Sequence, residues 1–243
     1  MSTDRQTDSL KDFMIRAEKV SYTVNLGSNT LPILHNVSLA IREGESAAIV
    51  GRSGSGKTTL LGLLAGLDVP TAGDIFLDGQ MISSLSEDER ASLRSQRVGF
   101  VFQSFQLLPT LTAIENVTLP MELSGIVDAK YKASALLERV GLTQRMQHTP
   151  RQLSGGEQQR VAIARAFAVA PKILFADEPT GNLDTHTGEA ITELLMNLNQ
   201  EQGTTLVMVT HDQQLADRCQ RLFVIEAGLL QERTAKSKTV SAV

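Results

Sequence analysis

Gly51-Arg-Ser-Gly-Ser-Gly-Lys57-Thr58 fits the pattern G-x-x-x-x-G-K-[ST] at every fixed position. Its glycines let the backbone wrap so that successive N–H groups point at phosphate oxygens. A helix N-terminus behind the loop adds a favourable dipole for an anion. Lys57 supplies a point charge for β- and γ-phosphates, and the Thr58 hydroxyl is placed for Mg²⁺. A plain glycine turn would not require the Lys-Thr pair.

Two further stretches carry chemistry at strand ends. In Ile173-Leu-Phe-Ala-Asp177-Glu178, two carboxylates follow an apolar run. Ligands of open α/β sheets bind beyond the carboxyl ends of strands. One carboxylate can hold Mg²⁺ and the next can orient or deprotonate an attacking water. His211 and Asp212 follow the run 205–209 in the same way.

Leu153-Ser154-Gly155-Gly156-Glu157-Gln-Gln-Arg160 is the most telling stretch. Ser154 and Glu157 form a capping box that opens a helix. A cap does not need two glycines between its ends. They leave N–H groups bare at a dipole-positive terminus, a second anion site. One nucleotide needs one cradle, so the second implies a phosphate held by a partner.

These groups need elements to carry them. Residues 14–24 alternate loosely and 34–41 more clearly, which predicts two strands, and Glu43-Gly44 turns into an apolar run at 46–50. That run reads as a strand buried on both faces. A leucine-rich helix at 57–65 follows the loop, then a hairpin turning at Asp78-Gly79 and a short strand at 97–102. Residues 116–170 read as mostly helical, with helices at 131–140, ended by Gly141, and 157–169, stopped by Pro171. Strand and helix then alternate: a strand at 172–176, a helix at 187–198 with Ile191, Leu194, Leu195 and Leu198 on one face, and strands at 205–209 and 222–225. This is an α/β pattern with an antiparallel strand set in front and a helical insertion. Parallel neighbours would bring the three polar strand ends to one edge. Residues 13–232 read as the domain, with the helical part at about 104–170, and the polar ends 1–12 and 234–243 read as flexible tails.

Composition bounds the rest. With 243 residues, 42% of them hydrophobic and 21% charged, the chain has a globular composition and room for one domain. Its net charge of −4 argues against nucleic acid as a partner. Cys219 is the single cysteine, which excludes an internal disulfide and fits a reducing compartment. The N-terminus shows no secretory signal, and the longest apolar run, 60–67, is shorter than the roughly 20 residues of a membrane span. The expectation is a soluble, cytoplasmic chain.

Together the motifs resemble the ABC-type ATPases, the nucleotide-binding subunits of ABC transporters, over residues 13–232. The resemblance implies a P-loop NTPase core of mostly parallel strands, an N-terminal antiparallel β subdomain and a helical subdomain bearing the signature. It implies a homodimer in which Ser154, Gly155, Gly156 and Glu157 of one subunit close over ATP held by the other. ATP would be bound by Gly51, Ser53, Gly54, Ser55, Gly56, Lys57, Thr58 and Thr59, with Tyr22 stacked on adenine. Thr58, Gln103 and Asp177 would hold Mg²⁺. Glu178, His211 and Gln103 would be the catalytic set, and Asp184 would lie in the D-loop at the dimer seam. Read without the resemblance, Gln103 is a surface residue, Tyr22 a strand aromatic, and Asp184 and Asp212 helix N-caps.

Val98-Gly-Phe-Val-Phe-Gln-Ser-Phe-Gln, Phe175-Ala-Asp-Glu-Pro-Thr-Gly-Asn-Leu-Asp and Met208-Val-Thr-His-Asp narrow the resemblance to the LolD/MacB/FtsE group, closest to YbbA-like ATPases. Asn182 stands where many transporters have a small residue. The group implies an integral membrane permease of the MacB or FtsX type as partner. It also implies a peripheral place on the inner face of the cell membrane and a role in export or in lipoprotein or envelope handling. Phe105, Leu107, Leu108 and Leu111 either help form the permease groove or pack the helical region. Two other readings are a non-transport ABC ATPase and an ATP-gated scaffold for envelope enzymes. The stretch between Gly51 and Leu153 leaves no room for the long coiled coils of the first, and Glu178 with His211 argues for hydrolysis against the second.

Overall fold

Ile173 and Phe175 belong to one apolar cluster, Leu174 and Ala176 to another, and all four are fully buried. Their strand therefore lies between two cores, as period-2 alternation in a strand covered on both faces requires. The computed structural model describes residues 13–27 and 29–233. The expected tails, 1–12 and 234–243, lie outside the described residues.

An antiparallel sheet contains β1 (Phe13–Leu26), β2 (Asn29–Arg42), β4 (Ala72–Leu77) and β5 (Gln80–Met81) in the order β2-β1-β4-β5. The second sheet contains β3 (Ser46–Val50), β6 (Val98–Phe102), β7 (Ile173–Asp177), β8 (Thr205–Thr210), β9 (Arg221–Glu226) and β10 (Leu229–Arg233). Its order is β10-β9-β3-β8-β7-β6, parallel throughout except where β10 pairs antiparallel with β9. The helices are α1 (Lys57–Leu64), α2 (Glu87–Arg97), α3 (Ala113–Leu123), α4 (Ala129–Arg139), α5 (Gly155–Phe167), α6 (Thr185–Gln202) and the short α7 (Gln213–Ala216). The α/β expectation is met.

One core joins the antiparallel sheet and α1 to one face of the larger sheet, through Ile15, Leu60, Ile75, Phe175 and Val209. The other joins α3 to α6 to the opposite face, through Val117, Leu137, Ile163, Ile191 and Met208. Each such side chain contributes about 1.5–3 kcal/mol by leaving water. Capping boxes set the starts of α2 (Ser86, Glu89), α3 (Thr112, Glu115) and α5 (Ser154, Glu157). Helix α2 and strand β10 were not foreseen from the sequence. Among the described residues no helix is long and apolar enough to cross a membrane.

Candidate active site

The parallel register lines up four strand ends. Val50 lies opposite Thr210, Val209 opposite Asp177, and Asp177 opposite Phe102. The next residues of the chain, Gly51, His211, Glu178 and Gln103, therefore leave the sheet at one edge. A cleft opens there, lined by Ser53, Gly54, Gly56, Lys57, Thr58, Thr59, Gln103, Glu178 and, from β2, Ile33.

The loop between β3 and α1 needs its glycines. A Cβ on Gly51 would sit 2.4 Å from the Ile225 carbonyl oxygen, and Gly56 has φ 101° with Leu34 pressed against it. Lys57 is buried, and its Nζ donates to the carbonyls of Gly51 at 3.0 Å and Arg52 at 3.2 Å. The ammonium is thus folded back over the loop that it serves. The Ser55 hydroxyl is buried without a hydrogen-bond partner. A phosphate seated in the loop would give both groups acceptors.

Thr58 Oγ1 donates to Asp177 Oδ1 at 3.4 Å, joining the first turn of α1 to the end of β7. Burial pushes the Asp177 carboxyl above its ordinary range, and repulsion from Glu178 adds to this, while the Thr58 bond and Lys57 pull the other way. A hydroxyl, a carboxylate and the Gln103 amide are hard oxygen donors that fit Mg²⁺. They are too few to cage a metal, and no cluster of three acidic, His or Cys ligands occurs among the described residues. That suits an ion which takes its remaining ligands from phosphates and water.

Glu178 sits at the turn out of β7 with φ 47°, a left-handed conformation that costs a side-chain-bearing residue about 1–2 kcal/mol. Its N–H donates to Val209 O at 2.8 Å and its carbonyl accepts from Gly181 N at 3.0 Å, which hold the turn. The side chain is 15% exposed and meets His211 Nδ1 at 2.7 Å. A carboxylate only accepts, so Nδ1 carries the proton.

The loop 154–157 lines none of this cleft. The Ser154 hydroxyl accepts from Glu157 N at 3.3 Å, and Glu157 Oε2 accepts from Ser154 N at 2.8 Å. Arg145 Nε donates to Glu157 at 2.9 Å, so the box carries a compensated charge. Gly156 lies against α6: a Cβ there would meet Thr187 Cγ2 at 2.6 Å. Asp184 caps α6, accepting from Thr187 N at 3.1 Å, and so stands beside the signature loop.

Comparison with known proteins matches residues 34–181 to the family described as ABC transporter. The ABC transporter ATP-binding protein YbbA of Escherichia coli (strain K12) is 54% identical over 221 residues, covering 90% of this chain and 97% of YbbA. The lipoprotein-releasing system ATP-binding protein LolD of Idiomarina loihiensis is 46% identical, covering 91% of this chain and 98% of LolD. The dimeric ATP-binding cassette MJ0796, in a post-hydrolysis state bound to ADP and Pi, superposes with a TM-score of 0.85 at 41% identity, covering 92% of this chain and all of the cassette.

The chain belongs to the ABC transporter ATP-binding family.

Within this ABC fold several expected site residues, among them Ser55, Asp177, His211 and Asp184, lie outside the cleft lining itself. Tyr22 is not among the cleft-lining residues. It pairs with buried Leu34 across β1 and β2, packs on the core beneath, and its hydroxyl donates to Asp68. The ring is thereby fixed to the segment after α1, and Ile33 supplies the apolar wall of the cleft. Asp212 caps α7, accepting from Gln214 N at 2.8 Å.

The ABC site also holds residues that sequence reasoning missed. Gln159 of α5 is fully buried and donates to the Pro179 carbonyl at 2.6 Å, tying the signature helix to the residue after Glu178. Arg165 of α5 donates to the carbonyls of Phe105 at 3.0 Å and Gln106 at 2.6 Å, both at positive φ. Gln103 and Asn182 bond each other reciprocally. A Gln and an Arg on an otherwise apolar helix face were the available signal for the first two. Beyond Gln103, Leu107 packs on the helical core and Leu108 stays exposed. Leu111 lines a groove along α3 with Ile114, Thr118 and Leu119.

Proposed function

We propose that this ABC chain hydrolyses ATP with Mg²⁺ as one half of a homodimer. It thereby drives an integral membrane permease of the MacB or FtsX type from the inner face of the cell membrane, in export or in lipoprotein or envelope handling. The convergence of Lys57, Asp177, Glu178 and His211 at the carboxyl edge of one parallel sheet carries this reading. The dimeric MJ0796 cassette with its ADP and Pi and the lipoprotein-releasing name of LolD support it. The loop nitrogens and Lys57 hold the phosphates. Glu178 takes a proton from the attacking water, and His211 fixes the Glu178 carboxylate. The loop 154–157 of a second copy closes over the γ-phosphate. Thr58, Asp177 and Gln103 hold Mg²⁺, which when bound neutralises phosphate charge. Residues 13–232 act as the ATPase domain, and the groove along α3 is where the permease docks.

The test is to express a tagged Glu178→Gln chain in its native host, trap it with ATP and identify what co-purifies from gently solubilised membranes. A permease with few membrane helices and a large periplasmic domain is expected. Ribosomes, DNA or no membrane partner would overturn the membrane role.

A further inference from the structure

Gln103 Nε2 donates to Asn182 Oδ1 at 3.0 Å, and Asn182 Nδ2 donates to the Gln103 carbonyl at 2.9 Å. This two-bond ring has one sense. A main-chain carbonyl only accepts, so the Asn182 NH₂ must face it and the Asn182 oxygen must face Gln103. That oxygen in turn selects the Gln103 NH₂. Flipping either amide would set donor against donor or acceptor against acceptor.

We propose that Asn182 is a positioning residue that turns the Gln103 carboxamide so that its oxygen stays free for the cleft lined by Thr58 and Glu178. Only that oxygen can ligate a hard cation, because an amide NH₂ has no lone pair to give. Two neighbours favour the arrangement. A Cβ on Gly181 would lie 2.8 Å from Gln103 Nε2, so the glycine admits the close approach. Arg165 holds the carbonyls of Phe105 and Gln106, which fixes the chain just beyond Gln103. Asn182 is thus an orienting partner behind a metal ligand, a role whose loss typically costs about 10–100-fold in metal affinity. Both amides are exposed in the single chain, where water competes for them, so the lower end applies. The inference rests on the reading of Gln103 as a group that reaches Mg²⁺.

The experiment uses full-length protein carrying Glu178→Gln, loaded with ATP and titrated with Mn²⁺ followed by electron paramagnetic resonance. Asn182→Leu and Gln103→Ala are compared on that background. ATP binding in EDTA and the Gln103 side-chain amide signal in nucleotide-free protein are read alongside. The expected result for Asn182→Leu is metal binding weakened about tenfold, unchanged metal-free ATP binding, and a changed chemical shift of the Gln103 side-chain amide. Unchanged metal affinity in Asn182→Leu with weakened affinity in Gln103→Ala overturns the positioning role and leaves Gln103 in place. Unchanged affinity in both overturns the Gln103 reading and the inference with it. Equal loss of metal-free ATP binding would make Asn182 merely structural and overturn the inference too.

Discussion

His211 Nδ1 stands 2.7 Å from Glu178 Oε2, and the His211 main-chain N–H reaches the same oxygen at 3.3 Å. Two donors from the end of β8 thus hold one oxygen of the carboxylate at the end of β7 and leave Oε1 outside the pair. A general base needs a fixed carboxylate with an oxygen left for water.

Glu178→Gln keeps the acceptor for His211 and removes the proposed base. Turnover is expected to fall by about a hundredfold or more, with ATP affinity unchanged in a filter or fluorescence binding assay. Normal hydrolysis by this variant would place the base elsewhere.

Arg165 clamps two consecutive residues, Phe105 and Gln106, at φ 60° and 49°. Removing it leaves both carbonyls unpaired and the strain unopposed. Arg165→Ala is expected to cost about 1.5–3 kcal/mol in urea unfolding and to open the loop 104–111 to protease. Arg165→Lys restores only part, since an ammonium lacks the guanidinium fork. Wild-type stability in Arg165→Ala would show that the clamp carries no energy.

Three glutamates close capping boxes, and their carboxyls lie below the ordinary 4.5. The Ser86 hydroxyl bond is the main cause for Glu89, and the main-chain N–H groups of Thr112 and Ser154 for Glu115 and Glu157. A lowered folded value means stability that is complete above 4.5 and is lost as pH falls through the lowered values. The melting temperature is therefore expected to drop as the pH is lowered below 4.5. That drop shrinks when all three are changed to Gln. An equal drop in the triple variant would assign the acid sensitivity to other groups.

Cys219 lies in a small cluster with Ala48 and Ala216, and burial pushes its thiol up to about 12. Thiolate is the reactive form, so native protein at pH 8 is expected to resist iodoacetamide and to label fully in urea. Rapid native labelling would mean that this cluster opens readily.

What the sequence disclosed follows the range of each interaction. The loop 51–58 and the apolar strands were legible because local pattern determines them: glycines where backbone must turn, and alternation where both faces are covered. Helix α2 was missed because only Arg90 and Leu93 of its eleven residues are buried, although Ser86 and Glu89 marked its start. The Gln103–Asn182 pair spans 79 positions and the Gln159–Pro179 bond links a helix to a turn, so no local spacing encodes either. Strand alternation shows which residues share a face, but not the Asp68 partner, from a distant segment, that holds the Tyr22 ring.

Mixing two crippled chains decides whether the loop 154–157 works on ATP held by a second copy. Lys57→Ala disables the phosphate loop. Gly155→Asp places a negative charge in the signature, where an added Cβ meets only ordinary contacts with Leu183 and Phe105. Each variant alone is expected to be nearly inactive. In a mixed dimer one site pairs the sound phosphate loop of the Gly155→Asp chain with the sound signature of the Lys57→Ala chain, so ATP hydrolysis should reappear on mixing. A mixture as inactive as its parts would contradict the shared-site dimer.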